Sequence, residues 1–185
     1  MNSIDLMVEE HKYATRMLKV IRSACYTIFQ GKEIDYEDFG KMIDFVRSYV
    51  DKHHHGKEEK LLFKEMQNHL GKIADNLITH GMLVEHDLGR LYMSDLEEAL
   101  ERVKNGDEES KLDVISNAVG YTHLLTRHIA KEDEVVYSFG AKNLPQEIIE
   151  DINKKTEAFE KEAEDKGTQA YYKTMLEELE SKYCS

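Results

Sequence analysis

Two four-residue spacings, His54 to Glu58 and His128 to Glu132, set the terms on which this chain can fold. Four residues is close to one turn of α-helix, so each imidazole and its carboxylate leave the same face. Each pair interrupts an apolar stripe. Ile43, Val46, Val50 and Leu61 frame the first, and Val114, Ala118, Tyr121, Leu125, Val135 and Phe139 frame the second. The face that must be buried is therefore the face that carries the charges. A buried carboxylate beside a buried imidazole is costly unless something charged compensates it, and a metal ion is the compensating charge this pattern points to.

The rest of the chain reads as helix. One proline, no tryptophan and 34% charged residues fit an all-α protein rich in helix-forming side chains. A first helix is expected over residues 3–29, with Met7, His11, Ala14, Leu18, Ile21, Cys25 and Ile28 on one face. Gly31 interrupts, and Asp35 reads as the N-cap of a second helix over residues 36–68. Gly71 punctuates the next turn. A third helix follows to Lys104, with Met82, His86, Met93 and Leu100 on one side, and Asn105-Gly106-Asp107 stops it. A fourth runs from about Glu108 to Phe139. Residues 141–185 are acidic and Lys-rich, with a weaker apolar pattern and a break expected near Gly167. The expected architecture is an up-down-up-down four-helix bundle over residues 1–140 with a C-terminal helical extension over 141–185.

Composition narrows the partners. With 25 Lys+Arg against 37 Asp+Glu the net charge is -12, which disfavours nucleic acid and anionic membranes. No apolar run spans a bilayer, and no basic-then-apolar leader is expected at the N-terminus. Two distant cysteines, Cys25 and Cys184, form no CxxC and fit a reducing cytoplasm.

In such a bundle, residues equidistant from a turn share a depth. His11 and His54 are about equally far from the turn near residue 32, and His86 and His128 from the turn near Asp107, by the helical rise. The inward set is then His11, His54, Glu58, His86, His128 and Glu132. Imidazole with carboxylate and no thiolate suits iron, manganese or zinc. Two carboxylates among four imidazoles fit two ions better than one, since a carboxylate can bridge.

The runs His54-His55-Gly56-Lys57-Glu58-Glu59, Glu85-His86-Asp87 and His128-Ile129-Ala130-Lys131-Glu132-Asp133, with a histidine in helix one, resemble the hemerythrin-like, HHE cation-binding family over about residues 3–140. The resemblance implies a non-haem centre of two iron ions, bridged by Glu58, Glu132 and an oxo or hydroxo group. Composition alone also allows manganese or zinc. Oxygen-carrying members have His-x-x-x-His in helix three, where this chain has Met82 and then His86. The pattern therefore resembles divergent members that sense oxygen or iron, handle nitric oxide or peroxide, or repair iron–sulfur clusters. Repair members carry an added N-terminal segment with adjacent cysteines, and the sequence given opens almost directly on helix one.

Neighbouring residues compete for these positions. Helical phase favours His54 over His55 and Glu132 over Asp133, leaving His53 and His55 as flanking or outer groups. His80 is the candidate for a displaced fifth ligand, and Tyr121, seven residues before His128, for a phenol near the metal. Arg90 is expected to pair with a carboxylate such as Glu85 or to lie at the rim. The expected function is binding or sensing of oxygen, nitric oxide, peroxide or iron. The alternative is a di-iron redox enzyme that removes peroxide or nitric oxide, or acts in iron–sulfur repair. The tail is a candidate surface for a protein partner.

Overall fold

A computed structural model describes residues 2–184. Met1 and Ser185, the outer ends of the two expected segments, lie outside the described residues. Among the described residues there is helix and no strand. Helix α1 (Ser3–Phe29) is capped by Asn2, whose side chain accepts hydrogen bonds from the backbone N–H of Ile4 and Asp5. It buries Met7, His11, Ala14, Leu18, Ile21, Cys25 and Ile28, the whole expected stripe. Rod α2 (residues 36–70) begins at Asp35, whose carboxylate accepts the N–H of Asp38 at 3.1 Å. The same carboxylate meets Lys182 at 2.6 Å. Asp35→Ala is expected to cost about 1 kcal/mol, read as a lower urea midpoint; an unchanged midpoint would refute the cap's contribution.

Gly71, at φ 66 and ψ -155, breaks the rod and starts α3 (residues 72–104). A left-handed φ strains any residue with a Cβ, which explains glycine here. After Gly106 (φ 98), a short 3₁₀ turn, Glu108–Ser110, leads into α4 (residues 111–143). Helix α4 runs on to Asn143, past the expected end at Phe139. Helices α5 (Gln146–Asp165) and α6 (Thr168–Tyr183) follow, separated at Gly167 as expected.

Rods α2, α3 and α4 each depart from α-helix beside the buried polar residues. Phe45–His55 and Glu58–Leu62 in α2, Ile78–Met82 in α3 and Glu132–Val136 in α4 are π-helical. A π turn takes up about one residue more than an α turn, so the buried face advances one position across it. This corrects two expected core positions. Leu62 is fully buried where Leu61 was expected, and Val136 is buried while Val135 is 52% exposed.

The apolar interior forms two clusters. The larger joins α1 to α4 with Met175, Leu176 and Leu179 of α6. The smaller gathers Met7, Leu62, Phe63, Met66, Met82, Val136, Tyr137 and Ile152 of α5. On every one of the first four rods the buried histidines and glutamates fall between these clusters. Burial of each large apolar side chain contributes about 1.5–3 kcal/mol, which offsets the cost of the polar layer. Helices α5 and α6 pack across α1 and α2. Among the described residues, no helix is long and apolar enough to cross a membrane.

Candidate metal centre

The polar layer consists of two groups of side chains that share a carboxylate. His11, His54, Glu58 and Glu132 form one, and His55, Glu58, His86 and His128 the other; within each, one ligand atom per residue lies within 4.8 Å of the rest. All seven residues are buried. The Nε2 atoms face inward in pairs, His11 with His54 at 2.9 Å and His86 with His128 at 3.1 Å. Glu132 reaches both groups, with Oε2 3.3 Å from His11 Nε2 and Oε1 3.1 Å from His128 Nε2. Glu58 Oε2 lies 3.8 Å from His54 Nε2 and 3.6 Å from His86 Nε2.

The outer nitrogen of four of the five imidazoles is held by a carboxylate from the neighbouring rod. His54 Nδ1–H donates to Glu10 of α1 (2.8 Å), and His86 to Glu59 of α2 (2.7 Å). His128 donates to Glu85 of α3 (2.9 Å), and His11 to Asp133 of α4 (2.8 Å). These four bonds close a ring through the four rods, each rod giving one imidazole and one carboxylate to the ring. His55 is held within its own rod by Asp51 at 3.3 Å. A carboxylate on Nδ1 fixes the tautomer, aims Nε2 inward and makes it a stronger donor to a cation. Most of these carboxylates are backed by a cation of their own: Lys57 at Glu10, Arg90 at Glu59 and Asp51, Lys131 at Glu85.

Glu58 Oε2 and both oxygens of Glu132 are buried without a hydrogen-bond partner among the described residues. Buried carboxylate oxygens are ordinarily satisfied. Three left open between five inward imidazoles fit a cationic ligand, and the nitrogen–oxygen donor set suits first-row metals. The family model described as hemerythrin HHE cation-binding domain matches residues 2–139. The chain belongs to the hemerythrin HHE cation-binding family. Comparison with curated proteins and with solved structures gives no significant match. Membership in the hemerythrin family implies that the domain binds a metal cation, iron being typical.

Electrostatics of the protein without a cation follow from burial and mutual charge. Burial and the charge of Glu132 push the Glu58 carboxyl up to about 8. Burial also acts to raise Glu132, but the charge of His128 and the contacts of His11, His128 and His86 hold it well below the carboxylate range. Burial lowers imidazoles, yet Asp133 and Glu132 hold His11 up at about 10, and Glu132 and Glu59 do the same for His86. His128 stands at about 9 through Glu132 and Glu85 despite its burial. Burial and the charge of His11 lower His54 to about 4; burial and His86 take His55 well below its usual value. Protons on three imidazoles thus offset the carboxylate charge that a cation would otherwise offset.

The six residues singled out from the sequence come together, and a seventh joins them. His55, expected to flank the site, stacks on His86 with ring centroids 3.8 Å apart. Its inward position follows from the π-helix, in which a residue five places after Val50 shares Val50's face. His80, the expected candidate for a fifth imidazole, is exposed. Asp133 supports His11 rather than entering the cluster. Tyr121 is buried, but its hydroxyl has no hydrogen-bond partner among the described residues. The phenol at the site is Tyr137, which donates to Glu58 Oε1 at 2.5 Å and stacks on His11. It too stands five residues from an inward residue, Glu132, across a π turn. Arg90 pairs with Asp51, Glu59 and Asp87, while Glu85 serves His128. The supporting roles of Glu10 and Glu59 were missed; the available signal was an acid beside four of the seven inward residues, as in Glu10-His11, Glu58-Glu59, Glu85-His86 and Glu132-Asp133.

Proposed function

We propose that this protein is a non-haem di-iron protein of the hemerythrin type that takes up oxygen, nitric oxide or peroxide, or iron itself, and responds to it. The observation that carries this reading is the set of three unpartnered oxygens on Glu58 and Glu132 between two imidazole groups. His11 and His54 would hold one ion, His55, His86 and His128 the other, with Glu58 and Glu132 shared. The up-down-up-down order of the first four rods belongs to this reading and is supported by their short connections. Two free cysteines, one of them buried, support a cytosolic setting.

When bound, iron supplies one-electron chemistry and coordination positions for a small ligand. The His11–His54 side has one imidazole fewer and would hold its ion with one protein ligand less. The chain's own contribution on that side is Tyr137. Its hydroxyl lies 3.4 Å from His11 Nε2, and burial with the charges of Glu58 and Glu132 keeps it protonated well beyond the usual phenol range. On the other side a cavity of about 330 Å³ is lined by His55, His86, Met93, Tyr121 and Leu125, space for a small molecule to approach.

Tyr137 is also the observation that favours an enzymatic reading, since a phenol beside the cluster can hand a proton to a reduced ligand. Metal analysis of protein purified without chelators should give two irons per chain; no iron, or one zinc, overturns the proposal. A reversible absorption change on adding oxygen to the reduced protein, without turnover, supports sensing. Sustained peroxide consumption that falls about 100-fold in Tyr137→Phe supports the enzyme instead.

A further inference from the structure

Lys57 has no exposed surface, and its ammonium is shared among three groups. It pairs with Glu10 of α1 and Glu160 of α5, and lies 3.3 Å from His53 Nε2. Glu10, His53 and Glu160 bring ligating atoms within 4.8 Å of one another. That is the geometry of a cation site, and the lysine supplies the cation. Glu10 uses Oε1 for Lys57 and His53, and Oε2 for His54 Nδ1–H. Glu160 lies beyond the residues 2–139 matched by the family and is steadied by Gln169 of α6 at 3.0 Å. A buried ammonium is costly unless paired; here its charge is divided between one carboxylate that touches the metal centre and one that belongs to the C-terminal extension.

The division matters for His54. The more of the ammonium's charge falls on Glu10, the more weakly Glu10 pulls on the Nδ1 proton, and the poorer Nε2 becomes as an electron donor. We infer that Lys57 is a positioning residue that tunes His54 as a metal ligand, and that Glu160 of α5 sets how strongly it does so. Cation binding and docking of the C-terminal extension are then linked, each favouring the other. The inference rests on His54 being a ligand, as proposed above.

Two substitutions move the charge in opposite directions. Glu160→Gln leaves Glu10 as the one carboxylate paired with the ammonium, so the iron-loaded protein should show a higher reduction potential and zinc affinity should fall by about tenfold. Lys57→Met frees Glu10 and should lower the potential. Glu160 is part-exposed and glutamine is isosteric, so the first variant carries the test even if the second does not fold. The reciprocal readout is hydrogen exchange on the full chain. Zinc should slow exchange across residues 146–165 in the wild type and do so less in Glu160→Gln. Potentials that shift the same way in both variants, an unmoved potential in Glu160→Gln, or α5 amides indifferent to zinc would each overturn the inference. A wild-type chain that binds no cation would instead overturn the proposed function.

Discussion

Glu58→Gln is expected to leave the metal-free protein within about 1 kcal/mol of wild type at pH 7, while Glu132→Gln is expected to destabilise it by about 3–5 kcal/mol. The two glutamates look alike in sequence and in burial, but their charge states differ. Glu58 is pushed up to about 8, so at neutral pH it carries its proton and accepts from Tyr137 as a neutral acid. A glutamine carbonyl can accept the same bond. Glu132 is ionised among His11, His86 and His128, and its removal leaves buried imidazolium charge without a counterion. Above pH 8 the wild-type Glu58 ionises against Glu132, and Glu58→Gln should become the more stable protein. Both variants should lose cation affinity by more than the ~10–100-fold typical of outer groups, because both carboxylates span the two imidazole groups. Urea melts with zinc titration check all of this; equal destabilisation by the two substitutions would refute the assignment of charge.

The second large effect is a divergence of metal-free and metal-loaded stability with pH. His11 and His86 are raised to about 10 and His128 to about 9. Groups raised above their unfolded values stabilise the fold fully below about pH 6.5, and that contribution drains away as pH climbs through 9 to 10. Glu58 acts in the same direction, since a raised carboxyl loses its advantage between its usual value and about 8. The metal-free melting temperature should therefore fall from pH 7 to pH 10. A cation must displace the imidazole protons, so its affinity rises over the same range, by up to about tenfold per pH unit for each proton released. The gap in melting temperature between zinc-loaded and metal-free protein should widen steadily with pH. A constant or shrinking gap would show that the imidazoles do not hold those protons.

The helices were legible because punctuation and periodicity agree. Gly31, Gly71, Asn105-Gly106 and Gly167 mark the breaks, and each apolar stripe of α1 and α3 is buried as its spacing implies. The meeting of His11, His54, Glu58, His86, His128 and Glu132 in the buried layer was legible for the same reason, since polar residues on an apolar face announce themselves. What escaped lies beyond the π turns. Sequence phase assumes 3.6 residues per turn, and a π segment adds a residue without changing the residue types. That one-residue shift hid His55 behind His54, Val136 behind Val135, and Tyr137 altogether. Lys57 and Glu160 were hidden differently: a lysine and a glutamate on acidic, Lys-rich helices look like solvated surface, and only tertiary packing reveals that they face each other.

The circuit of four imidazole–carboxylate links has no loose end. Removing any single rod opens two links at once and leaves a buried imidazole without its carboxylate on one side and a carboxylate without its imidazole on the other. Partly assembled chains, with three rods docked and one astray, are therefore penalised twice over. Under the proposed function, capture of a cation belongs at the close of folding, because the centre is complete only when every rod has found its place.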